Sequence, residues 1–251
     1  MFSGIDLSQI LLFPVKDSES RKYFLIGCAV ALAGFIIPVV PYLFLFGYAA
    51  QIARQVFNGE SPRMTAWNDW GKLFENGARM FGVRLVYSLP LLILVLPMII
   101  AGVAMPVVLD NVNSSEVDTI IPIFILIMSS LFCLIMLLSL PLALIIPAAE
   151  MHVVNKNEFA AGFRFREWWG ILRANLGGFI VAFAIFYAVS MVLGIVMQIL
   201  MITVILACLL PFFIPALTTY STLIMYAMIA QAYKTGRDKL AGMEVVPIVS
   251  Q

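Results

Sequence analysis

Apolar residues fill four long runs, 23–53, 85–109, 119–149 and 176–233, and short polar passages separate them. A helix rising 1.5 Å per residue needs about 20 residues to cross a hydrocarbon core of about 30 Å. The runs therefore predict membrane helices. The alternating strands of about ten residues that mark a membrane barrel are not visible. Spans are expected at 83–109 and 120–149. The run 176–233 is too long for one crossing, which predicts a turn near Gln198–Thr203 and spans near 176–197 and 204–232. Eight prolines, at 90, 97, 106, 122, 141, 147, 211 and 215, are expected to kink these helices, mostly as static bends.

The first run is broken by Pro38 and Pro41. It predicts either a single span over 23–47 or a hairpin that turns at Pro38–Pro41 and returns through Tyr42 to Phe57. Each arm of such a hairpin falls just short of a comfortable crossing, as a short or re-entrant pair would. Before it, Leu7, Ile10 and Leu11 lie at helical spacing opposite Asp6, Ser8 and Gln9, a pattern suited to the lipid headgroup region.

The longest polar passage is Asn58–Phe81, NGESPRMTAWNDWGKLFENGARMF. Trp67, Trp70, Phe74, Gly77 and Phe81 recur there at helical spacing, with Lys72, Glu75 and Arg79 on the other face. A second passage, Asn155–Asn175, groups Phe165, Trp168, Trp169 and Leu172 opposite Arg166, Gly170 and Arg173. Both predict amphipathic helices lying in the membrane interface, with tryptophans at headgroup level. The passages align at an offset of 98 residues: Asn58-Gly59-Glu60 on Lys156-Asn157-Glu158, and Asp69-Trp70 on Glu167-Trp168. Asp17 with Arg21 and Lys22 is a fainter third copy. The expected organisation is one membrane domain over 1–251, with parallel repeat-like units at about 1–57, 58–154 and 155–240 and a short tail at 241–251.

Composition agrees with a membrane class. Mean hydropathy is +1.03 and charged residues make up 12% of the chain, where a soluble domain has roughly 25%. The net charge of +1 gives no field for nucleic acid. The loop Asp110–Asp118 has three acids and no Lys or Arg, whereas the other polar regions carry the basic residues. The positive-inside rule puts that loop outside. With the first run as a hairpin, all fifteen basic residues share one face. The expectation is thus an all-α polytopic protein of the plasma membrane, with about six membrane segments and both termini cytoplasmic. No cleavable signal peptide is expected.

Little in the chain points to catalysis. Cys28, Cys133 and Cys208 are scattered through apolar runs, which fits small packing residues and neither a disulfide framework nor a zinc site. His152 is the only histidine. It lies with Glu150 at the cytoplasmic end of a span, and no ionisable residue falls at mid-span, where coupling carboxylates sit. Glu60, Asp69, Glu158 and Glu167 recur between the passages. They fit either a cation- or partner-binding cluster or, preferably, helix capping and ion pairing, for instance Asp69 at a helix start and Glu75 with Arg79. Phosphate loops, zinc-protease motifs and nucleophile elbows are missing from the sequence. Asn113-Ser114-Ser115 matches the glycosylation pattern, which short sequences meet by chance. No catalytic, cofactor-binding or metal-binding residue is expected, and no cofactor.

The string GYAAQIARQVFNGESPRMTAWNDWGKLFENG from Gly47, the VYSLP at 86–90 and the later EFAAGFRFREWWGILRANLGGFIVAF resemble domain-of-unknown-function family 4013. The most specific part is the Gly-Glu, Pro, Trp, Asp-Trp-Gly, Phe, Gly succession at 59–77. Ser20 departs from the family's early aromatic. The resemblance implies a prokaryotic integral membrane protein without assigned activity, and it supplies no catalytic residue. The expected function is a non-enzymatic scaffold or accessory subunit acting through membrane lipids, a homo-oligomer or a membrane or cytoplasmic protein partner. Its interface would be Trp67, Trp70, Lys72, Phe74, Arg79, Phe165, Arg166, Trp168, Trp169 and Arg173. The alternative is a transporter or permease-like component for an apolar or lipid-like substrate. Glu158–Gly162 is similar in outline to the Glu-Ala-Ala loop by which importer permeases dock an ATPase, but lacks its downstream part.

Overall fold

The computed structural model describes residues 7–202 and 208–242; its regular elements are all helices, with no strand among the described residues. The helices are α1 (Leu7–Leu12), α2 (Ser18–Ala33), α3 (Val40–Phe57), α4 (Trp70–Asp110), α5 (Ser114–Lys156), α6 (Phe165–Ala174), α7 (Leu176–Ile202) and α8 (Leu210–Leu240), with a 3-10 turn at Phe159–Phe163 before α6. Helices α4, α5, α7 and α8 are long and apolar enough to cross a membrane. The chain therefore has the make-up of a polytopic membrane protein.

The chain divides into two compact units, Met1–Val83 with Pro147–Gln251, and Arg84–Ile146. In the larger unit α8 is the central helix, packed against α1, α2, α3, α6 and α7. Its stretch Tyr226–Tyr233 is buried all round, as is most of α3 from Gly47 to Ala53. Small residues make this possible: Ala49, Ala50 and Ala53 in α3, and Ala227, Ala230 and Ala232 in α8. They let backbones approach where lipid itself gives no drive for helices to associate. The closest approach joins α3 to the start of α4. A Cβ added at Gly47 would overlap the Leu73 carbonyl, and one at Gly77 would overlap the Leu43 carbonyl.

The smaller unit is different in kind. It holds the distal part of α4, the link Asn111–Asn113 and the first part of α5. None of its described side chains is buried. Leu92, Ile93, Leu96, Ile99, Ile100 and Val103 along α4, and Ile125, Leu126, Phe132, Leu137 and Leu140 along α5, all stand exposed. Apolar side chains exposed on every face of two helices require an apolar medium.

Several expectations change here. The first apolar run does divide: α2 ends at Ala33 and α3 starts at Val40, with Pro41 in its first turn, where a missing N–H costs nothing. The amphipathic N-terminus packs its apolar side against the protein. α1 is tucked into the core, with Ile10 and Phe13 buried and the Leu11 carbonyl accepting from Tyr220 Oη at 3.0 Å. The passage Asn58–Phe81 is not a separate surface helix. Residues 60–69 are non-helical, and α4 begins at Trp70 and runs without a break through Pro90, Pro97 and Pro106. Its buried stripe is Leu73, Asn76, Gly77, Met80 and Val83. Of the residues expected on one apolar face, Gly77 is buried against α3 whereas Trp70 and Phe74 are exposed, because the glycine crossing turns the Gly77 side of the helix onto α3. At the other end, α7 continues through Gln198 to Ile202, so no turn begins at Gln198. The remainder of that expected turn, 203–207, and the tail beyond 242 lie outside the described residues.

The loop 60–69 is pinned by aromatic contacts. Tyr48 and Trp67 stack at 4.1 Å with their planes 8° apart. Tyr48 Oη donates to the Thr65 carbonyl at 2.7 Å and accepts from its N–H at 2.8 Å. Trp67 Nε1–H donates to the Tyr23 carbonyl at 2.9 Å. Helix starts are capped as the acids suggest. Asp69 Oδ1 accepts from Lys72 N–H at 3.2 Å, and Asp17 Oδ1 from Ser20 N–H at 2.6 Å. The latter bond holds the Asp17 carboxyl below the usual carboxylate range.

Candidate functional site

The polar chemistry of the larger unit gathers where α3, α5 and α8 end. Helix C-termini leave carbonyls unsatisfied and carry partial negative charge, so basic side chains are drawn to them. Arg237 donates to the Phe57 carbonyl at 3.4 Å, at the end of α3, and to Asn155 Oδ1 at 3.2 Å, near the end of α5. Just past α5, Asn157 takes a left-handed conformation (φ 57°), which asparagine tolerates and which commonly closes a helix. Its Oδ1 accepts from Arg54 at 2.9 Å and from Arg79 at 3.0 Å, and its carbonyl from Arg79 at 2.8 Å. Arg54 also reaches Asn76 Oδ1 at 2.8 Å, and Arg79 pairs with Glu75 one turn back. One asparagine thus ties α3, α4 and α5 together. Asn157→Ala is expected to lower stability by about 1–3 kcal/mol, through two orphaned guanidinium bonds and the lost left-handed preference. Thermal unfolding of the detergent-solubilised protein will measure it. An unchanged melting temperature would show the junction to be dispensable.

Beneath this layer lie buried polar side chains. Glu150 and His152 are 0% and 1% exposed, so they sit inside the protein and not at an interface. Tyr226 Oη donates to Glu150 Oε2 at 2.6 Å. His152 Nδ1 meets Tyr233 Oη at 2.6 Å and its Nε2 meets Glu167 Oε2 at 3.1 Å. The line Glu167–His152–Tyr233 runs from a half-exposed carboxylate on α6 to a buried phenol on α8, and it fixes the imidazole from both sides. Asn175, between α6 and α7, donates to the Ala232 carbonyl at 2.9 Å and accepts from Lys239 at 2.9 Å. The sequence singles out Glu150 and His152 and, through the repeat, Asn157 without its role, but not Tyr226 or Tyr233. The two tyrosines are seven residues apart in an apolar run, hence on one face of α8, and that spacing was the available signal.

The surface residues expected to form an interface do not stay together. Trp67 and Trp168 are buried; Trp168 Nε1–H donates to the Gly162 carbonyl at 3.0 Å. Trp70 and Phe74 are exposed and pack on Phe44 at 5.4 and 5.5 Å. Lys72 is exposed, and Arg79 is engaged with Asn157. Phe165, Arg166, Trp169 and Arg173 do converge. With Gly170, Ala174 and Leu240 they line an open groove of about 590 Å³ between α6 and the end of α8. The repeated acids serve as caps and ion-pair partners: Glu60 with Arg63 at 3.4 Å, and Glu158 with Arg164 at 2.7 Å. Cys28 is half-buried, and Cys133 and Cys208 are exposed rather than packed.

Among curated proteins no match is found, and no solved structure matches the fold. The model of one family, described as protein of unknown function (DUF4013), matches residues 30–202. That stretch covers more than half of the chain, including α3, the pinned loop and α6, and the protein belongs to this family.

Proposed function

We propose that the protein is a non-enzymatic scaffold or accessory subunit of the plasma membrane, acting through lipid and protein contacts. It would have six membrane segments, α2 and α3 forming the short first pair, and both termini in the cytoplasm. The observation that carries this reading is the contrast between the two units. The larger unit is filled by its own aromatic and small side chains, whereas no described side chain of 84–146 is buried. An apolar surface of that extent suits lipid, a second copy or a membrane partner. The basic ends of α3, α5 and α8 suit the cytoplasmic side, and Asp110–Asp118 the outside.

A transporter component is the second reading. It draws support from the likeness between the first two repeat units. Asp17 and Asp69 each cap a helix through the N–H three residues on, and parallel repeats occur in transporters. Native mass analysis of the protein in nanodiscs separates the two. A defined oligomer or a retained partner is expected. A bare monomer that passes solute in proteoliposomes would overturn the scaffold in favour of transport.

Topology is checked by thiol labelling in a chain whose native cysteines are replaced. Ser20 is too buried to report, so Ser18→Cys and Ser115→Cys, both exposed, are the probes. Ser115→Cys is expected to react with an impermeant reagent from outside, and Ser18→Cys only after the membrane is opened. Outside reactivity of Ser18→Cys would rule out the six-segment arrangement.

A further inference from the structure

We propose that the groove between α6 and the end of α8 binds the phosphate headgroup of an anionic phospholipid; this rests on α6 lying at the membrane surface. Arg166 and Arg173 are seven residues apart on α6, two turns on one face, about 10 Å along the axis. Both are exposed, and neither has an ion pair or hydrogen bond among the described residues. Gly170 between them presents no side chain and leaves the gap open. The Leu240 side chain closes its floor, 3.6 Å from where a Cβ would be. Phe165 and Trp169 stack at 5.1 Å, 20° from parallel, and make a stiff aromatic wall.

No acid lines the groove. Glu167, the one acid of α6, is turned away to His152 and Arg164. Two unpaired guanidiniums facing an open groove call for an anion, and their forked donors match phosphate. The apolar components call for an amphiphile and not for free phosphate. Two residues after α6, α7 begins with Leu176 and Ile180 exposed, a continuous surface on which acyl chains can lie. Tryptophan beside the guanidiniums is placed as it commonly is at headgroup level. Other exposed basic residues lack this setting: Arg63 pairs with Glu60, and neither Arg63 nor Lys72 lines the groove.

The test titrates the full-length protein, in a mild non-ionic detergent, with phosphatidylglycerol and phosphatidylcholine, counting bound lipids by native mass spectrometry. Phosphatidylglycerol is expected to bind preferentially. Each basic residue near a membrane surface is worth about a factor of five, so R166Q/R173Q should weaken retention roughly thirtyfold. R63Q/K72Q, with the same charge change outside the groove, should leave it unchanged, and Trp169→Ala should weaken both lipids' retention. R166K/R173K, which keeps charge but loses the fork, is expected to fall between, and it serves if the glutamine variant fails to fold. Equal losses in R166Q/R173Q and R63Q/K72Q, equal binding of the two lipids, or displacement by millimolar inorganic phosphate would each overturn the proposal. The measurement needs no particular topology or partner. A negative result therefore leaves the scaffold reading standing, and failure of the labelling experiment leaves lipid binding to be decided on its own.

Discussion

Gly77→Leu is expected to yield no folded protein, and Gly77→Ala to lower the melting temperature sharply. The position a Cβ would take at Gly77 overlaps the Leu43 carbonyl, and the reciprocal position at Gly47 overlaps the Leu73 carbonyl. The colliding atoms belong to helical backbones, which cannot rotate aside as the end of a long side chain can. Overpacking a core costs about 1–3 kcal/mol and more where relief requires separating two elements, so alanine alone should reach the top of that range. The disturbance would spread, because separating α3 from α4 also moves Arg54 away from Asn76. Gly102 provides the control. It lies on exposed α4, nothing stands within 4 Å of its Cβ position, and Gly102→Ala should be neutral or stabilising by up to about 1 kcal/mol. Unfolding in detergent with added denaturant reads all three variants. Equal effects at Gly77 and Gly102 would dismiss the crossing as a stability determinant.

The second large effect is expected at Tyr226 and Glu150. Tyr226→Phe removes the phenol that donates to Glu150 Oε2 and strips a fully buried carboxyl group of one of its hydrogen bonds. Leaving a buried acceptor short of a donor costs about 1–3 kcal/mol, more if it is charged. Glu150→Leu leaves the phenol without that acceptor and is expected to cost a similar amount. The double variant should cost clearly less than the sum, because the contact broken by either single substitution is lost only once. Additive losses would mean that the 2.6 Å contact contributes no coupling. The same cycle on His152 and Tyr233 is expected to show weaker coupling, since Glu167 still holds the imidazole from the half-exposed side.

The membrane class and the division of the first apolar run were legible in the sequence. Hydropathy and paired prolines carry that information directly. Which apolar helix is buried in protein and which is exposed was not legible from hydropathy, since lipid tails are as apolar as leucine. The distinction lay in side-chain size. Alanines and glycines crowd α3 and the second half of α8, while Leu, Ile and Val fill 84–146. Over 67–81 the aromatic spacing does not display which side meets protein. Gly77 was the residue that mattered, and its place opposite Gly47 is a non-local fact. In α6 the aromatics part in the same way: Trp168 is buried with Leu172, whereas Phe165 and Trp169 line the groove with Arg166 and Arg173. The polar junction at Asn157 depends on three separate segments and has no local pattern to display it.

A mutational scan should find a sharp frontier at Val83/Arg84 and again at Ile146/Pro147. Inside the larger unit, side-chain volume is specified almost atom by atom. Across the frontier, length and greasiness are the main requirements, because no described side chain there is enclosed by its own chain. Homologous chains can therefore drift freely among Leu, Ile, Val and Met over 84–146. Any position there that refuses such exchange marks where another molecule, a second copy or a foreign subunit, presses against the hairpin.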